Sequence, residues 1–88
     1  MEKRLGIIAI VFTSKENIVI VNDLISDFSD MIIARQGLPM PHKGISFISL
    51  VVEAEMNRIN SLTGQLGRLE GIEVKTIVTK ERSIIKEK

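Results

Sequence analysis

The sequence predicts an α+β domain with the element order β-α-β-β-α-β, in which a four-stranded antiparallel sheet carries two helices on one face. The first observation is the run from Gly44 to Glu53, which holds one charge and is rich in β-branched residues. The second is a similar run from Arg4 to Phe12. Both runs are apolar at odd and at even positions, which is typical of strands covered on both sides. These two strands are therefore expected to be the central ones.

The segment after the first strand predicts a helix. Thr13-Ser14-Lys15-Glu16 has the form of a capping box, with Thr13 as the N-cap and Glu16 reaching back, and the helix is expected to continue to about Phe28. The β-branched run at 18–21 also fits a strand, but the polar residues that follow and the later spacing favour a helix. Its expected inner face has apolar residues three and four positions apart: Ile18, Val21, Leu24, Ile25 and Phe28.

The middle of the chain predicts a hairpin. Ser29-Asp30 is expected to be a turn, and residues 31–36 the second strand. Residues 37–44 are expected to form a long loop, because they include two prolines, which cannot donate to a ladder, and two glycines. The third strand is the run that ends at Glu53.

The second helix has the clearest pattern in the chain. Its apolar residues Ile59, Leu62, Leu66 and Leu69 recur at helical spacing, and Gly71 follows where a left-handed cap is expected. Residues 72–79 then alternate apolar and charged at first, which predicts an edge strand with one wet face. Residues 1–79 are thus expected to form one domain, and the mostly charged residues 80–88 a C-terminal tail.

This element order is that of the ferredoxin-like fold, in which right-handed crossovers place both helices on one face of the sheet. The other face would then expose an apolar patch. On the first strand, that patch is either Leu5, Ile7 and Val11 or Ile8, Ile10 and Phe12. Because contiguous apolar patches of this kind are rarely left in water, we expect a homo-oligomer, a dimer or tetramer, that buries the open face.

Composition excludes several classes of function. The 88 residues contain no cysteine, which excludes disulfides and thiolate or iron–sulfur ligation and fits a cytoplasmic protein. A net charge of +1 and three aromatic residues argue against nucleic-acid binding. The basic pair and apolar run at the start imitate a signal peptide, but they are expected to be a buried strand. They are also too short to span a membrane.

The residues give no catalytic constellation and no cofactor site. His42 is the one histidine, and it is the only weak candidate for a metal ligand; a lone loop histidine is usually solvated. No serine has nucleophile-elbow spacing around it, so we do not expect an enzyme. Arg35 and Arg68 are expected to be solvated, with anion binding as the alternative.

Gly64 and Gly67 lie within the predicted second helix, where each glycine costs the helix about 1 kcal/mol relative to alanine. Two explanations remain open from the sequence. The helix packs closely on the sheet or on a neighbouring helix there, or a small ligand or partner backbone approaches the glycines.

Three segments, taken together, resemble the small family of iron-only hydrogenase system regulators. They are Leu5-Gly6-Ile7-Ile8-Ala9-Ile10-Val11, the run from Gly44 to Val52, and Leu62-Thr63-Gly64-Gln65-Leu66-Gly67-Arg68-Leu69-Glu70-Gly71-Ile72-Glu73-Val74-Lys75. The third is the most specific. The family is similar in fold to amino-acid-binding ACT domains and to the effector-binding half of the nickel-responsive regulator. The resemblance implies an ACT-like, oligomeric sensor or adaptor linked to hydrogenase assembly.

By analogy with ACT domains, the resemblance implies a ligand at the first strand-to-helix turn, on Thr13, Ser14, Lys15 and Glu16, facing Gly64 and Gly67 of a neighbouring copy. The nickel regulator's histidines and cysteine are not matched, and a first strand at Arg4 leaves no room for its DNA-binding arm. The expectation is therefore a small-ligand or partner-binding regulatory module without direct nucleic-acid or membrane contact. A purely structural assembly domain is the alternative.

Overall fold

The computed structural model describes residues 2–40 and 45–79. The predicted tail at 80–88 and the metal candidate His42 lie outside the described residues. The elements are β1 (Arg4–Phe12), α1 (Ile18–Asp27), a 3-10 turn (Ser29–Met31), β2 (Ile32–Met40), β3 (Ile45–Ala54), α2 (Met56–Gly67) and β4 (Ile72–Val78).

The sheet confirms the predicted fold. Its strands lie in the order β2-β3-β1-β4, and every neighbouring pair is antiparallel. The two strands that are apolar on both faces, β1 and β3, occupy the centre as expected. Among the described residues, both helices pack against the same face of this sheet, which is the ferredoxin-like arrangement.

The core lies between the helices and that face. Ile8 and Ile10 of β1 and Leu50 and Val52 of β3 have almost no exposed surface. The other core side chains come mainly from the inner faces of the helices and include Val21, Ile25, Ile59, Leu62 and Leu66. All of these helix positions were predicted from the apolar spacing.

The predicted capping box at Thr13–Glu16 is wrong. Helix α1 begins at Ile18 with Asn17 as its N-cap, and that cap makes no side-chain hydrogen bond to the helix. The turn's polar groups are used elsewhere. The Thr13 amide donates to the carbonyl of Gly71 at 2.8 Å, and the Asn17 side-chain amide donates to the carbonyl of Glu70 at 3.0 Å. These bonds tie the turn to the segment before β4, so its residues do not form the first turn of α1.

Strand β2 is longer than predicted, because residues 37–40 continue the ladder with β3. Proline is tolerated at position 39 because β2 is an edge strand, where one side of the backbone needs no partner. Helix α2 is shorter than predicted and ends at Gly67. The predicted left-handed glycine is confirmed, since Gly71 has φ of 77°. However, it lies in the turn before β4 and not directly at the helix end.

Candidate functional site

The face of the sheet opposite the helices is mostly apolar. The strand registers arrange it in three rows that cross the sheet from β2 to β4. The first row is Leu38, Phe47, Val11 and Glu73; the second is Gln36, Ser49, Ala9 and Lys75; the third is Ala34, Val51, Ile7 and Ile77. We call these twelve residues the open face. Two rows that are apolar apart from Glu73 therefore flank a row of small and polar residues.

Large side chains of the open face remain in water in the single chain. Ile77 is 72% exposed, Leu38 50% and Ile7 46%. The sequence left two choices for the uncovered side of β1, and the structure selects the one with Leu5, Ile7 and Val11. Toward β2 the open face holds a shallow depression of about 380 Å³, lined by Ala34, Arg35, Gln36, Ser49 and Val51. The third row thus has a hollow at one end and the protruding Ile77 at the other.

The turn predicted to hold a ligand is exposed and closely connected to the rest of its own chain. The side chains of Thr13, Ser14, Lys15 and Glu16 are all exposed. The Ser14 hydroxyl accepts a hydrogen bond from the Glu16 amide at 3.3 Å, and it lies against the space that a side chain at Gly71 would occupy. The turn therefore needs a glycine at position 71 for two reasons: the positive φ and this close approach.

The two helix glycines do not join that turn within one chain. Gly64 and Gly67 are exposed, and a Cβ atom built on either would meet no atom within 4 Å. Within the described residues of one chain, the first explanation, close packing on the sheet or on a neighbouring helix, is therefore wrong. A contact with a neighbouring molecule remains a prediction. Gly67 is the last residue of α2, so only Gly64 interrupts the helix interior.

A cavity of about 330 Å³ opens where α1 passes over β2 and β3. Its lining includes the core residues Phe12 and Ile48, Ile18 from α1 and Gly37 from β2, together with Leu38 and Phe47 of the open face. Polar lining is provided by Asn22, Arg35 and Ser46. The sequence singled out Arg35 as a possible anion ligand but not its neighbours. A glycine inside an edge strand was the signal that could have indicated this cavity.

Arg35 crosses from the edge strand to α1. One of its terminal nitrogens donates to the Asn22 side-chain oxygen at 2.8 Å. In the described part of the chain Arg35 has no carboxylate partner, so its charge is not neutralised by a neighbouring acid.

Arg58, at the start of α2, forms a bidentate ion pair. Its two terminal nitrogens donate to the two Asp30 carboxylate oxygens at 2.6 and 3.1 Å, and its guanidinium lies 5.3 Å from the Phe28 ring centre. Hydrogen bonding by Arg58 lowers the pKa of Asp30 below its ordinary value of 3.8. The contact joins the 3-10 turn to α2, which gives it a structural role.

The described residues offer no metal centre, since no three of their histidine or acidic side chains gather in one place. Within the same ranges, neither helix is both long enough and apolar enough to cross a membrane.

Comparison with known proteins identifies the family. Residues 4–76 match the model of the TM1266-like family, described as "Iron-only hydrogenase system regulator, putative". The uncharacterized protein TM1266 from Thermotoga maritima is 36% identical in sequence. Its structure superposes with a TM-score of 0.84, over 90% of this chain and 100% of that one. None of the curated proteins matches the chain.

More distant structures share the fold alone. An unknown protein from Galdieria sulphuraria is 13% identical with a TM-score of 0.66, over 93% of this chain and 48% of that one. A formyltetrahydrofolate deformylase from Pseudomonas syringae is 8% identical with a TM-score of 0.63, over 92% of this chain and 29% of that one. The family match covers most of the chain and agrees with the closely similar structure from Thermotoga, so the chain belongs to the TM1266-like family of iron-only hydrogenase system regulators.

Proposed function

We propose that the protein is a homo-oligomeric regulatory module of the cytoplasm that acts in the iron-only hydrogenase system by binding a small ligand or a protein partner. The family description supports the link to that system. The apolar open face supports self-association, and this observation carries the proposal. A catalytic role has no support from the described side chains, so the module acts by binding.

The second copy of the chain is the occupant that best fits the open face. Four strands about 4.8 Å apart, each about nine residues long, give a face of about 19 by 30 Å. Covering two such faces removes about 1,100 Å² from water, close to the lower end of the range of stable interfaces, about 1,200 Å². Side chains that project from the sheet increase the buried area beyond this value for a flat surface.

The third row also suits a two-fold contact. A two-fold axis parallel to the strands places β4 of one copy over β2 of the other and keeps equivalent rows face to face. Ile77 of one copy then meets the depression at Ala34 and Val51 of the other. The same contact occurs twice, because the axis exchanges the two copies.

For the ligand, the sequence-based proposal is the turn at Thr13–Glu16 facing Gly64 and Gly67 of a neighbouring copy. The exposure of all six residues supports it, since each is accessible to a second molecule. None of the six lines either cavity described above. A site there would need the neighbouring copy to complete it.

The alternative is an assembly domain without a ligand. It is favoured by the same open face, which needs only a second copy to be covered. A thermal-shift panel of amino acids, small carboxylates and divalent cations separates the two, because a ligand that binds only the native state raises its stability. No shift with any compound at any concentration would leave the assembly domain as the function.

The regulatory role has its own test. Deletion of the gene in its own organism should change hydrogen production, and a copy with an intact open face should restore it. Unchanged hydrogenase activity in the deletion strain would overturn the link to the hydrogenase system.

A further inference from the structure

The lining of the cavity beneath α1 includes a strand position that lacks a side chain. Gly37 pairs with Ile48 of β3 and lies on the helix side of the sheet. Its φ is not in the left-handed region, so the backbone does not require glycine there. A Cβ atom at this position would meet no atom within 4 Å. Glycine inside a strand weakens it and often marks the close approach of a ligand.

The polar groups on the lining are few and face an apolar floor. Phe12 is 4% exposed and Ile48 9%, so the floor is part of the core. Arg35 uses one nitrogen on Asn22 and keeps further N–H donors. That bond also fixes the Asn22 amide, because its oxygen accepts from Arg35 and its nitrogen is left to donate. Ser46 adds a hydroxyl.

We propose that this cavity binds a small carboxylic acid with an apolar tail, with its carboxylate on the Arg35 guanidinium. Guanidinium and carboxylate match in charge and in planar geometry. A volume of about 330 Å³ lies at the lower end of the range of small-molecule sites, about 300–1,000 Å³. None of the lining residues is acidic, so an amino acid's ammonium group finds no carboxylate there. A simple acid is therefore preferred to an amino acid.

This inference rests on the proposed regulatory function, since it names the ligand class and places the site within one chain. Most of the cavity lining lies on the helix side of the sheet, whereas the proposed dimer uses the opposite side, and Leu38 and Phe47 are common to both. Binding is followed by amide shifts and self-association by native mass, so each is measured by itself. The failure of one does not imply the failure of the other.

The test is a titration of the full chain, labelled with nitrogen-15, followed by amide chemical shifts. The probes are 4-methylpentanoate, its uncharged match 4-methylpentanamide, and L-leucine, which has a similar tail and an added ammonium group. We expect 4-methylpentanoate to shift the amides of Gly37, Ser46 and Ile48. The amide and L-leucine should bind at least about tenfold more weakly.

Two variants locate the binding. Gly37→Val fills the cavity from a position that accepts a side chain, and it should weaken 4-methylpentanoate binding at least about tenfold. Arg35→Gln removes the charge and should weaken it by about tenfold, while Arg68→Gln removes another exposed charge, outside the cavity, and should leave binding unchanged. The native mass, measured in parallel, should be the same for all of these proteins.

Three results would overturn the proposal. These are the absence of saturable shifts at the cavity with 4-methylpentanoate, shifts centred on Thr13–Glu16 with the cavity unaffected, and equal affinity for acid and amide. If Gly37→Val does not fold, the affinities of Arg35→Gln and Arg68→Gln for 4-methylpentanoate still show whether the acid binds at Arg35. If the chain is oligomeric but does not bind the acid, only this inference is contradicted. If the chain is a monomer that binds the acid, only the self-association proposal is contradicted.

Discussion

Replacing Ile77 by alanine should break the proposed dimer without unfolding the chain. Ile77 is 72% exposed in the single chain, so its side chain contributes little to the monomer's core. Full burial of an isoleucine is worth about 1.5–3 kcal/mol, so covering this fraction contributes about 1–2 kcal/mol per copy. Two copies lose about 2–4 kcal/mol, and the dissociation constant should rise about 30- to 1,000-fold.

The assay is sedimentation velocity over a dilution series, with circular dichroism to confirm the fold. Val19→Ala is the matched control, because Val19 is also 72% exposed but lies on α1, away from the open face. The control should sediment like the unmodified protein. Equal dissociation constants for Ile77→Ala and Val19→Ala would show that the open face is not the interface.

Further outcomes concern single positions. Gly71→Ala should destabilise the fold by at least about 1–2 kcal/mol in urea unfolding, because alanine is strained at φ of 77° and would collide with Ser14; an unchanged midpoint would contradict this. Gly64→Ala should instead stabilise the chain by up to about 1 kcal/mol, because its Cβ meets only open space; a clear loss of stability of the isolated chain would show that the helix needs the glycine. The lowered pKa of Asp30 should make its ion pair with Arg58 favourable above about pH 3.8 and lost as pH falls through the folded-state pKa. The stability difference between the unmodified protein and Asp30→Asn, followed by thermal unfolding, should therefore shrink in that acid range, and a constant difference would exclude the contribution.

The fold could be predicted from the sequence because its strongest patterns were independent of each other. Two double-sided apolar runs marked the central strands, and helical spacing from Ile59 to Leu66 marked the face that α2 buries. The sequence also predicted that one face of the sheet is uncovered, because two helices cannot cover both faces. It did not predict which side of β1 is uncovered, the side with Ile7 or the side with Ile8, because both sides are apolar.

The errors arose where tertiary contacts override a local pattern. Thr13 and Glu16 have the spacing of a capping box, but the Thr13 amide bonds to Gly71, which is distant in sequence. Pro39 suggested a loop, yet an edge strand has a side that needs no donor. The cavity at Gly37 depends on how α1 crosses the sheet, and no periodicity encodes that crossing.

The most direct test of the account is the mass of the unmodified chain at sedimentation equilibrium, at micromolar concentration and near-neutral pH. If the open face is buried by a second copy, the mass is twice 9.8 kDa or a higher multiple of it. A single species of 9.8 kDa at micromolar concentration would contradict the proposed self-association, because the apolar rows of the open face would then be stable in water.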